Sequence, residues 1–129
     1  MLLYTSLLFS TIVLHAFYEQ QPIYHHVFLA VTICSIVRYT TDLAIIRKID
    51  SLVAHIAFIA VCMDWEAAQH RPAVVLFPFG VSVLWIAEHV WPLKAIMLHA
   101  LLHVVSVFGV HCYIRCTANS PFSPLQDFI

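Results

Sequence analysis

Five apolar runs, parted by short polar stretches and prolines, divide this chain at residues 2–18, 23–40, 43–63, 73–91 and 95–114. A helix needs about 20 mainly apolar residues, within a range of roughly 17–25, to cross the hydrocarbon of a bilayer. Each run falls in or near that range. Soluble domains carry about 25% charged residues, whereas this chain of 129 residues carries 10%, with 62% hydrophobic residues and a mean hydropathy of +0.90. The pattern predicts an all-α protein, one polytopic transmembrane helix bundle of five spans, integral and multi-pass. The first run has no Lys/Arg segment before it, so it reads as a span rather than a secretory signal. The third run is fully apolar only from Ser51 to Met63, so its helix is expected to begin near Leu43 and to carry Arg47, Lys48 and Asp50 at the membrane surface. Pro22 and Pro92 open the second and fifth runs, and Pro78 is expected to kink the fourth. Residues 115–129 form a short polar tail in which Pro121 and Pro124 favour irregular structure.

Charge and composition exclude several function classes. A formal net charge of -1 leaves no basic face to neutralise phosphates, so no nucleic-acid partner is expected. Two glycines in the whole chain exclude a glycine-rich phosphate loop. Cys34, Cys62, Cys112 and Cys116 form no CxxC pair and read as small buried apolar residues rather than a disulfide framework. Cys112 and Cys116 share a helix face near a border, where palmitoylation would suit them. Arg38, Arg47, Lys48 and Lys94 fall on one side of the predicted bundle and Arg71 and Arg115 on the other, which favours an N-terminus in the cytoplasm.

The polar residues inside the runs carry the functional signal. In five antiparallel spans, the end of the second, the start of the third, the end of the fourth and the start of the fifth lie on one side. Ser35, Tyr39 and Asp42 form one stripe on the second span at i, i+4 and i+7. Asp50 and then His55 open the third span, and Glu88 and His89 close the fourth. His99, His103 and Ser106 form a matching stripe on the fifth. An Asp, Lys or Arg at mid-bilayer costs about 2.5–3.5 kcal/mol, so such groups turn inward and pair. Several stripes converging on one side predict a single polar pocket. His111 lies about 120° from His99 at 100° per residue, off the stripe, and is expected to reach the far border. Two histidines at i and i+4 can ligate one metal ion, with a third ligand and an open water position completing a catalytic zinc. Two other readings fit the same residues. One is a haem- or quinone-associated electron-transfer subunit, although His99 and His103 on one helix cannot be trans axial ligands of one haem. The other is a non-catalytic structural subunit packed against other membrane subunits, its polar residues joining helices.

"HALLHVVSVFGV", from His99 to Val110, resembles the last helix of the membrane hydrolase superfamily that contains the alkaline ceramidases and adiponectin-receptor-like proteins (the CREST group). In that family a HxxxH pair on the final span joins a histidine from an SxxxH motif to hold zinc, and an Asp follows on the next span. Here "SIVRY" supplies Ser35, with Tyr39 in the histidine's place, and Asp50 follows fifteen residues after Ser35. The order Ser, Asp, His, His is kept, and five spans share the parity of the family's seven. The chain has two helices fewer and no acidic calcium-binding segment near its start. A second register, "SLVAH" with His55 and then Asp64, restores the histidine but puts the Asp at the opposite border. The resemblance implies a zinc-dependent hydrolase acting on a lipid amide or ester, with membrane lipids as partners. His99 and His103 would hold zinc, with His55 or His89 as third ligand. Asp50 would act as base or orient the zinc-bound water, and Ser35 would donate a hydrogen bond to the oxyanion. Tyr39 and Asp42 would complete the pocket. A phenol ionises only near pH 10 and is a poor zinc ligand, so Tyr39 is expected to weaken zinc binding.

Overall fold

Among the described residues, two other than glycine hold a left-handed backbone, and each marks a reversal of the chain. Gln20 (φ 56°) turns the first helical segment into the second, and Asp42 (φ 50°) turns the second into the third. Asp tolerates this conformation better than most side chains. The Asp42 N–H donates to the Arg38 carbonyl at 3.0 Å, closing the helix that precedes it. The structure, a computed structural model, describes residues 2–63 and 72–118. Its elements are α1 (Leu2–Leu7), α2 (Phe9–Tyr18), α3 (Pro22–Thr41), α4 (Ala44–Met63), α5 (Pro72–Val90), a 3-10 turn (Pro92–Lys94) and α6 (Ala95–Ala118). Among the described residues there is no strand. Asp64, Arg71 and the polar tail beyond Ala118 lie outside the described residues.

All five apolar runs fold as helix. They differ in how far each could cross a membrane unaided. Pro92–Thr117, 26 residues, is the one described stretch long and apolar enough to do so. For α4 the reason lies in its charges, whereas Leu2–Tyr18 and Phe77–Val90 are apolar but shorter. α4 carries Arg47, Lys48 and Asp50 in its first half, and α3 carries Arg38 near its end. The first run breaks at Leu8 instead of continuing to Tyr18. Three hydroxyls cluster around the break: Ser6 donates to the Leu2 carbonyl at 2.7 Å, Ser10 to Leu7 at 2.6 Å and Thr11 to Leu8 at 2.6 Å. Such back-bonding competes with the i→i−4 ladder and bends a helix. The backbone answers with tighter bonds, Leu8 N–H to Thr5 O at 3.2 Å and Thr11 N–H to Leu8 O at 3.0 Å. Pro78 stands inside α5, which continues on both sides of it.

Neighbouring elements pack as hairpins, α2 on α3, α3 on α4 and α5 on α6. α6 then returns to α1 and α2, which it meets in parallel. Thr5 reaches His103, Thr11 reaches His111, and Gln21 reaches Thr117. The residue numbers rise together on both sides, as a helix and its fifth neighbour must in an up-and-down bundle. The core of this seam is Ile12, Ala16, Tyr24, Val110 and Ile114, all buried. α4 and α5 meet more sparsely, through the Phe58 and Phe77 rings at 5.9 Å and the His55 and Trp85 rings at 6.3 Å.

α5 approaches α6 at Gly109. A Cβ built there would overlap the Phe77 ring, so the close approach requires glycine. Gly109→Ala should therefore destabilise the protein by about 1–3 kcal/mol through overpacking. Phe77→Leu should recover part of the loss. Thermal unfolding in detergent checks both, and equal melting temperatures for parent and Gly109→Ala would remove the close approach from the account.

Candidate functional site

A cleft of about 570 Å³ separates the α3–α4 hairpin from the α5–α6 hairpin, with Phe9 of α2 in its lining. Its walls are mainly apolar, as Phe28, Val31, Ala57, Val61, Phe77 and Val81 illustrate. Ser35, Arg38, Asp50, His99 and His103 supply its polar groups. Helical spacing explains why these residues share one space. Ser35 and Arg38 lie one turn apart on α3, Asp50 lies one turn before Ala54 on α4, and His99 and His103 lie one turn apart on α6.

Asp50 is the anchor of the α3–α4 side. Its side chain is 6% exposed, and both oxygens are engaged. Ser35 Oγ donates to Oδ1 at 2.8 Å, and the Arg38 guanidinium donates to Oδ2 at 2.9 Å. Arg38 also lies over the Tyr39 ring, 5.0 Å from its centroid, a cation–π contact. Asp50 thus takes one donor on each oxygen, and Ser35 spends its proton on Asp50.

Two histidines form the α6 side, and the count of protons fixes what each offers. Glu88 accepts from Nδ1 of His99 with both oxygens at 2.9 Å. A carboxylate only accepts, so His99 carries Nδ1–H, and its neutral Nε2 accepts the Tyr39 hydroxyl proton at 3.0 Å. The three side chains form a phenol–imidazole–carboxylate chain. His103 is buried, with its ring edge-on to Phe9 and 4.6 Å from the His99 ring. Its Nδ1 lies 2.9 Å from Thr5 Oγ1, and Thr5 also sits 3.1 Å from the Leu2 carbonyl. With the Thr5 proton on Leu2, Nδ1–H of His103 donates to Thr5 and Nε2 keeps its lone pair. An imidazole held at one nitrogen and basic at the other can take a proton from a water or hydroxyl.

The remaining candidates are placed differently. Tyr39 meets His99 directly. Asp42 does not reach the cleft: its side chain is 88% exposed, it caps α3, and its nearest cation is Arg47 at 3.9 Å. His55 lines the cleft, but its Nδ1 is turned back to the Ser51 carbonyl at 2.6 Å. His89 is exposed, bonds the Trp85 carbonyl at 2.8 Å and rests on the Trp85 ring at 4.4 Å. Neither comes to His99 and His103 as a third imidazole. Among the described residues no three His, Cys, Asp or Glu side chains converge as a metal cradle. The donor set at this point, two imidazoles and a protonated phenol, does not fit a three-histidine zinc centre. His111 does not reach a free border either. It pairs with His15. No local pattern links Thr5 to His103, 98 residues away in the chain. Arg38 counts in the sequence only towards orientation, whereas here it faces Asp50 inside the bundle.

Two substitutions test this geometry. Asp50→Ala should destabilise by about 3–5 kcal/mol, because it strands the Arg38 charge, whereas the double change Arg38→Met with Asp50→Leu should recover most of that. Chemical unfolding of the two variants compares them, and a single variant as stable as the parent would sink the anchoring role. Tyr39→His puts a third imidazole where the phenol now meets His99, so this variant should retain more zinc than the parent after dialysis against a mild chelator. No gain in a folded variant would count against a latent zinc site. Comparison of the chain with protein-family models, with curated proteins and with solved structures gives no match.

Proposed function

We propose that this protein is a multi-pass membrane protein whose cleft holds a lipid amide or ester, with its hydrocarbon between the two hairpins and its polar link against Ser35, Arg38, Asp50, His99 and His103. The observation that carries this reading is the division of the cleft into mainly apolar walls and a small set of polar groups. Ligand sites are commonly about 300–1,000 Å³, mainly apolar, with a few polar groups that fix orientation. The size of the cleft falls within that range. The outward faces support a lipid surround. Leu14, Ile45, Ile59, Phe79, Ile96 and Phe108 are all exposed. α3 and α4, at 20 residues each, span about 30 Å at 1.5 Å per residue, the thickness of the hydrocarbon layer. The charges of α3 and α4 do not contradict this. Arg38 and Asp50 neutralise each other inside the bundle, and Arg47 and Lys48 sit in the first turns of α4. The Lys and Arg distribution favours the N-terminus in the cytoplasm.

The same cleft supports hydrolysis of that lipid as its chemistry. His103, oriented by Thr5, is the group suited to take a proton from water attacking the carbonyl, and the Arg38 guanidinium is the donor nearest to that end with further N–H groups. No step needs Asp50 to leave its two partners.

The experiment uses the full chain in nanodiscs. The parent should copurify with bound lipid and should release fatty acid from a long-chain N-acyl amide or ester. Ala54→Trp, which fills the exposed mouth of the cleft, should lose the bound lipid without lowering the melting temperature. His103→Ala should keep the lipid and lose at least about a hundredfold in turnover, the usual scale of general-base catalysis. Equal lipid content in parent and Ala54→Trp would overturn the lipid site. Bound lipid with no turnover in the parent would leave a binding protein and overturn the hydrolytic chemistry.

A further inference from the structure

A second pair of imidazoles lies away from the polar groups of the cleft, about 12 Å further along α6 at 1.5 Å per residue. His15 on α2 and His111 on α6 meet Nδ1 to Nδ1 at 2.7 Å. Their ring centroids are 4.9 Å apart and their planes differ by 26°. Rings laid face to face at that nitrogen separation would bring their centroids much closer. The nitrogens therefore meet tip to tip, near the plane of both rings, and each lone-pair direction points at the other.

The outer nitrogens are held as well. Nε2 of His111 lies 2.8 Å from Thr11 Oγ1, and Thr11 sends its hydroxyl proton to the Leu8 carbonyl at 2.6 Å. A hydroxyl has one proton, so Thr11 accepts and His111 donates from Nε2. The neutral ring then has a bare Nδ1. Nε2 of His15 faces the Glu19 carboxylate at 3.9 Å, which also faces Arg115 at 4.0 Å. That separation is longer than a hydrogen bond, so Nδ1 of His15 either carries the ring proton towards His111 or is bare. Two bare nitrogens at this distance repel, so either a proton or a metal ion must lie between them.

We propose that His15 and His111 bind one divalent transition-metal ion of the class that prefers imidazole, Zn²⁺, Ni²⁺ or Cu²⁺, between their Nδ1 atoms, and that the ion ties α2 to α6. A zinc–nitrogen bond of about 2.0–2.1 Å at a tetrahedral angle sets the two nitrogens roughly 3.3 Å apart, so the rings must part by about half an ångström and also turn until their lone pairs, now aimed at each other, converge on one point. Binding releases the proton the two rings share. An acceptor on the far nitrogen of a ligating ring, here Thr11 behind His111, is the arrangement that fixes the tautomer of metal-bound histidine. Among the described residues no third His, Cys, Asp or Glu side chain converges here, so water fills the other positions. His15 and Glu19 stay 22% and 21% exposed at the end of α2, where an ion can arrive from water.

The test is metal addition to the full chain in detergent after stripping with a chelator. Zn²⁺ alone should raise the melting temperature, since a ligand that binds only the folded state stabilises it by mass action. Cu²⁺ should give an electron-spin spectrum split by two imidazole nitrogens. Both signals should vanish in His15→Ala and in His111→Ala and persist in His103→Ala. If an alanine variant does not fold, His111→Gln, whose amide can still meet Thr11, serves in its place. Signals that persist in the His15 and His111 variants, or a parent that takes up no metal, would overturn the proposal and leave a shared proton between the rings.

Discussion

A polar group among hydrocarbon side chains has no water to bond, so it must find its partner within the protein. The cost of failing is several kcal/mol per group. In this protein that constraint falls on the seam where α6 returns to α1 and α2. Thr5 meets His103, Thr11 and His15 meet His111, and Gln21 meets Thr117. These contacts join the first and last helices of the chain. The hairpins between them can then hold a cleft open, because the bundle is closed elsewhere.

The hydroxyls do two jobs at once on this seam. Each threonine spends its single proton on a carbonyl of its own helix, Thr5 on Leu2 and Thr11 on Leu8. The oxygen that remains can only accept, so it takes a ring N–H from His103 or His111. The same bonds lie around Leu8, where α1 gives way to α2.

The polar end of the cleft is built from two chains of bonds that do not merge. One runs from Ser35 and Arg38 to Asp50 and ties α3 to α4. The other runs from Tyr39 through His99 to Glu88 and ties α3 to α6 and α5. Arg38, stacked on Tyr39, is the place where they touch. Every charge in this set faces an opposite charge or a donor. His103 stands outside both chains, hydrogen-bonded to Thr5 and packed against the Phe9 and His99 rings.

The helices were legible in the sequence, because apolar run length and proline placement act locally and need no partner. So was the meeting of Ser35 with Asp50 and of His99 with Tyr39, because helical spacing and hairpin parity bring stripes to the same side. Crossing power was less legible. Run length predicts five spans, but the three charges of α4 and the shorter apolar lengths of Leu2–Tyr18 and Phe77–Val90 leave Pro92–Thr117 as the one described stretch that qualifies by itself. Asp42 misled because periodicity places a residue on a face without saying whether the helix still continues there, and the left-handed turn puts it in solvent. The partners of His103 and His111 were not legible at all. Thr5, Thr11 and His15 lie 96 to 100 residues away from them. No local rule spans that distance, and only the parallel return of α6, which side-chain packing and hydrogen bonding decide together, brings those atoms into reach.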